Sequence, residues 1–214
     1  MKNASFTTIG RNAMALAVVA VLGLVSITLF YTLFGGSGGP FGTLNDICVA
    51  LGGILSGGMV WRLYPLHRQQ APRLSRLALG SGLLGACLVP IGSSFAIFNV
   101  TGWFLAGLVT TFGYALIGLW LLALNDSARR WPSFPNRLAL LGMVAGGITA
   151  VGLLAVPGII ARIDAPDAAQ WYVSTALYVG GLGWNILYTI WCIWLGRLLL
   201  SNRLELQLSA TLPG

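Results

Sequence analysis

Apolar residues run along this chain in blocks, and the charged positions between the blocks set its plan. Nothing charged lies between Arg11 and Asp46, between Arg76 and Asp126, between Arg137 and Arg162, or between Asp167 and Arg197. A helix needs about 20 apolar residues to cross the hydrocarbon of a bilayer. The stretch from Leu77 to Asn125 holds two such lengths, with Asn99-Val-Thr-Gly102 as a tight turn between them. Strict alternation of apolar and polar residues is absent, which argues against a transmembrane barrel. The pattern predicts one all-α domain over residues 1–214, a polytopic bundle of six transmembrane helices. They are expected at about 12–34, 43–64, 76–98, 102–125, 137–161 and 169–199.

The breaks between helices have identifiable chemistry. Gly35-Gly-Ser-Gly-Gly-Pro40 ends the first helix, and Thr43 or Asn45 is placed to cap the second. Pro65 is expected to end the second helix, while Pro132 and Pro135 separate the fourth from the fifth. The first apolar run exceeds the roughly 7–15 residues of a cleaved signal peptide, so it reads as a permanent span.

Composition agrees. Hydrophobic residues make up 57% of the chain and charged ones only 8%, where a soluble domain carries about 25% charged residues. So little charge cannot cover a water-facing surface. Lipid accepts apolar surface but requires every backbone group to be paired internally, which helices achieve.

Lys and Arg give the orientation. Lys2 and Arg11 lie at the amino end; Arg62, Arg68, Arg73 and Arg76 flank the second connection; Arg129, Arg130 and Arg137 the fourth; Arg197 and Arg203 the carboxyl end. The first and third connections are uncharged, and the fifth sets Arg162 against Asp164 and Asp167. Positive residues mark the cytoplasmic side, so both termini are expected there. The net charge of +7 is thereby explained. Arg62, Arg68, Arg73, Arg76, Arg129 and Arg130 are expected to face anionic headgroups, and nucleic-acid binding is not expected. Trp61, Trp120, Trp131, Trp191 and Trp194 fall toward the cytoplasmic interface, Trp103 and Trp171 toward the other, and Trp184 deep in the sixth span.

The order suggests three parallel helical hairpins. Arg11-Asn-Ala-Met, Arg76-Leu-Ala-Leu and Arg137-Leu-Ala-Leu open the odd helices, although hydropathy makes all membrane hairpins look alike. Small residues recur four apart at Gly53 and Gly57, Ser81 and Gly85, Gly142 and Gly146, and Ala176 and Gly180. Such pairs let helices approach closely, within the chain or against a partner. Pro135-Asn-Arg-Leu-Ala-Leu-Leu-Gly-Met-Val-Ala-Gly-Gly147 and Trp191-Cys-Ile-Trp-Leu-Gly-Arg-Leu-Leu-Leu200 resemble stretches of uncharacterised six-span bacterial inner-membrane proteins, over about an eighth of the chain. The resemblance implies a bacterial inner-membrane protein and carries over no catalytic residue.

Candidate chemistry is sparse. His67 is the single histidine and is expected to face headgroups, which leaves no bis-histidine haem or His-rich metal site within one chain. Cys48, Cys87 and Cys192 lie inside predicted helices without paired spacing and read as buried structural thiols. Gly35-Gly-Ser37-Gly-Gly39 matches a nucleophile-elbow pattern and resembles the Gly-x-Ser-Gly of rhomboid proteases. Its serine and His67 fall on opposite sides of the membrane, however. Residues 46 to 62 alone cover roughly 24 Å of helix, while a serine needs its base within about 3 Å. No catalytic residue, cofactor or metal is expected.

Asp46 is the one carboxylate near membrane depth, read either as a first-turn helix cap beside Asn45 or as a functional group. Asn99, Tyr178 and Asn185 could line an outer cavity with it, near Ser93 and Ser94, and Pro90 and Pro157 would kink two odd helices there. Two functions are compatible with this chain. One is a non-enzymatic accessory or scaffold subunit that acts through lipid-buried helix faces, in a homo-oligomer or larger membrane complex. The other is a small-solute carrier or channel built on Asp46, Asn99, Tyr178 and Asn185.

Overall fold

The computed structural model describes residues 2–36, 39–70, 72–131 and 134–201. Ser37, Pro132 and Arg203, which entered the reading above, lie outside them. The described chain is all-α. Six helices are long and apolar enough to cross a membrane, which supports a multi-pass membrane protein. They are α1 (Lys2–Phe34), α2 (Phe41–Gln70), α3 (Pro72–Ile97), α4 (Trp103–Ala128), α5 (Asn136–Ile160) and α6 (Trp171–Leu200).

The helices are longer than expected at the charged end. α1 starts ten residues early because its buried stripe of Ile9, Ala13, Leu16 and Ala17 carries straight past Arg11, which is exposed. Pro65 does not end α2; it sits inside it. A membrane helix absorbs the one lost backbone bond at such a proline. α2 thus runs to Gln70, and α3 opens on Pro72, where a missing N–H is harmless. Arg62, Arg68, Arg73 and Arg76 therefore stand on helices rather than in a loop, all exposed. Thr43 and Asn45 lie within α2, not before it. The glycine turn behaves as expected: α1 stops at Phe34, and Gly35, Gly36 and Gly39 take φ of 59°, 81° and 72°.

Each helix packs on the next in sequence, and the last turns of α6 return to α1. α4 lies at the centre, with 67% of its most apolar window buried against 33–44% for the others. It touches α2, α3, α5 and α6. Backbones meet at glycines. A Cβ on Gly118 of α4 would stand 2.8 Å from the Gly146 carbonyl of α5, and one on Gly85 of α3 would collide with the Gly113 carbonyl of α4. Each of the four small-residue pairs read from the sequence contributes a glycine to this internal packing: Gly53 meets Val89, Gly57 meets Ala86, Gly85 meets Gly113, Gly142 meets Asn125, and Gly180 approaches Gly152.

Two helices are irregular away from the charged end. Pro157 lacks an N–H and crowds the carbonyl four residues back, and Val151–Ala155 before it is wound as a 3-10 helix. α3 stays α-helical through Pro90. In α6 the segment Gly183–Tyr188 is a π-helix.

Two turns use residues in the left-handed region. After α3 the amide of Val100 donates to Phe95 and that of Asn99, at φ 51°, to Ala96. After α5 the amide of Ile163 donates to Gly158 and that of Arg162, at φ 53°, to Ile159. Both are Schellman closures, where glycine is the usual third partner. Asn99 fits that role well, Arg162 poorly. Asp164, two residues on, serves another helix. Its carboxylate accepts from the Gly102 amide at 2.6 Å and the Leu105 amide at 3.1 Å. Gly102 caps α4 with no side chain of its own, so the loop before α6 supplies the missing acceptor. A Cβ at Gly102 would lie 2.5 Å from that carboxylate.

Candidate functional site

The interior polar groups are built in from facing helices. Tyr114 on α4 donates its hydroxyl to the Val49 carbonyl of α2 at 3.2 Å, across the space left by Gly52. Tyr188 on α6 donates to Ser56 Oγ of α2 at 3.3 Å, and Ser56 to the Gly52 carbonyl at 2.7 Å. Three residues on, Trp191 Nε1 donates to Asn125 Oδ1 of α4 at 3.1 Å, while Asn125 Nδ2 donates to the Leu121 carbonyl. Trp191 also packs edge to face on Trp120. Trp120 and Trp191 are therefore core residues, 1% and 0% exposed, and not the interfacial anchors expected. Trp61, Trp103 and Trp171 are exposed.

His67 is a second correction. It is 1% exposed and does not face headgroups. Because α2 continues past Pro65, His67 falls on one buried stripe with Val60 and Leu63. Its Nε2 stands 3.0 Å from Ser127 Oγ on α4. Ser127 Oγ also donates to the Ala123 carbonyl of its own helix at 3.0 Å. The pair reads as a tie between α2 and α4. Cys87 is a third correction: it is exposed, whereas Cys48 and Cys192 are buried.

One cleft breaks the packing near the middle of the helices. It lies between α1 (Leu16, Val19, Ala20, Gly23) and α6 (Trp184, Asn185, Tyr188), and its floor is Cys48, Val49 and Gly52 of α2 with Tyr114 of α4. Counted out to its open mouth, open solvent included, it encloses about 290 Å³, and it admits about one water. Tyr114 and Trp184 stack in parallel beside it, ring centres 4.3 Å apart. The Trp184 indole nitrogen is buried without a hydrogen-bond partner. The Asn185 amide has no hydrogen bond among the described residues.

The cleft has a cause in helix packing. α6 packs on α1 mainly through Gly183–Leu200, whereas Trp171–Leu182 packs on α4 and α5. The change of neighbour falls at the π-helical Gly183–Tyr188, and π-turns are frequent at functional positions.

Of the four polar residues proposed from sequence, Asn185 alone lines this cleft. Asp46 stands in the second turn of α2, past the first-turn amides it was expected to cap, and its close partner is Asn45 at 3.5 Å. Asn99 is exposed in the α3–α4 turn, and Tyr178 is 59% exposed on α6. No group of three or more His, Cys, Asp or Glu positioned for a metal occurs among the described residues. The cleft itself was not legible beforehand; a hint was Trp184-Asn185, the one deep tryptophan beside a mid-span amide. No family model matches the chain, and no curated protein or solved structure matches it either.

Proposed function

We propose that this chain is a non-enzymatic component of a bacterial inner membrane, an accessory or scaffold subunit that acts through its lipid-buried helix faces. The carrying observation is that its interior polar groups tie helix to helix: Tyr114 to Val49, Tyr188 to Ser56, Trp191 to Asn125 and His67 to Ser127. Groups spent in this way stiffen a bundle rather than receive a solute. In this reading both termini are cytoplasmic, and Arg62, Arg68, Arg73, Arg76, Arg129 and Arg130, all exposed, lie against anionic headgroups. The partner is a larger membrane complex or a second copy. The test is extraction in native lipid followed by mass measurement of the intact particle. A heavier particle of fixed composition is expected; a lone monomer under all mild conditions ends the proposal.

A second reading is a small-solute carrier or channel, favoured by Asn185 lining an open cleft. It requires that Asp46→Asn and Asn185→Ala lower uptake of some solute. Unchanged uptake across a broad panel removes it.

A further inference from the structure

The cleft between α1 and α6 combines features that single out one class of ligand. Its position makes lipid its approach: Tyr114 stands eleven residues into the 26-residue α4, so the lining lies between helices and away from their ends. Its lining holds no Asp, Glu, Lys, Arg or His. A charged guest would therefore be buried in hydrocarbon without a counter-charge, at a cost of several kcal/mol. The guest must be neutral.

Its polar contacts are also specified. The hydroxyls of Tyr114 and Tyr188 are committed to Val49 and Ser56. Two groups on adjacent residues of α6 are left: the Trp184 N–H, buried without a partner, and the Asn185 amide. Indole offers a donor only, and the amide adds two more N–H groups. An unpaired donor in hydrocarbon is costly, and an acceptor brought in by the ligand removes that cost. The rest of the lining is aliphatic or aromatic, including the stacked Tyr114–Trp184 pair, whose rings favour a flat partner.

We propose that this cleft binds, from the lipid side, a neutral molecule with a flat ring and a hydrogen-bond-accepting carbonyl, the chemistry of a membrane-dissolved quinone. Binding alone is proposed, with no electron transfer. α1 is the wall that yields. Beyond the cleft its far half, from Leu24 to Phe34, is largely exposed, so a small outward shift there widens the cleft without breaking the ties among α2, α4 and α6.

The test uses the full chain in phosphatidylcholine nanodiscs, with a decyl-substituted benzoquinone as the probe and quenching of tryptophan emission as the readout. A saturable component is expected above the linear quenching that a lipid-dissolved quinone gives to exposed tryptophans. Asn185→Leu removes the amide, and Ala20→Phe fills the cleft from the α1 side. Each is expected to weaken the saturable component about tenfold. A thermal melt of each variant establishes that it is folded, and either one alone suffices. Decylbenzene, which keeps the ring and tail but lacks the carbonyls, is expected not to compete. Linear quenching alone, or a saturable phase that both folded variants retain, overturns the proposal. Equal competition by decylbenzene overturns the carbonyl recognition and leaves a groove for apolar chains.

Discussion

α6 makes two contacts with very different outcomes. Against α5 it closes completely: Gly180 lies over Gly152, and a Cβ on Gly183 would stand 2.6 Å from the Thr149 amide. Against α1 it closes only in its last turns, where Gly196 and Gly10 each face the other's carbonyl at 3.2–3.3 Å from a would-be Cβ. Between these two contacts lies the cleft. α1 does carry a glycine at that level, Gly23, but a Cβ there would meet Cys48 of α2 and no atom of α6. In lipid, where apolar surface alone gives no reason to associate, the direction in which each glycine faces decides which contact closes.

The largest expected effect breaks the closed contact. Gly183→Leu drives a side chain into the backbone of α5, and a loss of about 3 kcal/mol is expected from overpacking. Denaturant titration in mixed micelles measures it. Next comes the tie that holds the inner part of α6 to α4. Asn125→Leu strands the Trp191 N–H in a fully buried position, and the expected cost is about 2 kcal/mol. A blue shift of the tryptophan emission should accompany it. An unchanged stability would mean that glycine contacts, not polar ties, fix the inner part of α6.

Smaller effects sharpen the contrast at the far end. Asp164→Ala removes the acceptor for two amides of α4, and a loss of about 1 kcal/mol is expected, as for other helix caps. Hydrogen exchange should rise at Gly102 and Leu105 before it rises elsewhere in α4. Arg162→Gly has the opposite sign: the residue holds φ 53°, and relief of that conformation should add about 1 kcal/mol in the same titration. Gly181→Ala is the smallest. Nothing lies within 4 Å of its Cβ position, so stability should stay within about 0.5 kcal/mol. A large loss there would mean that the exposed face of α6 is covered by another chain.

Much of this bundle was legible in the order of its residues. Charge-free gaps located five of the six helices, and the glycine turn after Phe34 fell where φ turns positive. The errors at the charged end of α2 have one source. Treating Pro65 as a helix end put His67 among headgroups, although Val60, Leu63 and His67 keep helical spacing across it. Likewise Trp191 was assigned to the interface by its distance from the helix end, whereas Tyr188, Trp191, Leu195 and Leu199 form one buried stripe. The cleft depends on where α1 and α6 part, a long-range relation that no local pattern encodes. Asn185 was noticed because a mid-span amide needs a partner; Asn99 and Tyr178 were grouped with it by depth alone, and depth does not bring side chains together.

The Asp164 cap also sets a clock. The Gly102 amide and the carboxylate that receives it are 62 residues apart. At about 5–20 residues per second, a ribosome finishes the start of α4 some seconds before it makes its acceptor. Until then four helices are in place with a helix end whose amides must be served by water. The last long connection therefore works as a latch that drops only after the fifth helix has arrived. Chains released before residue 164 would lack the acceptor for both amides.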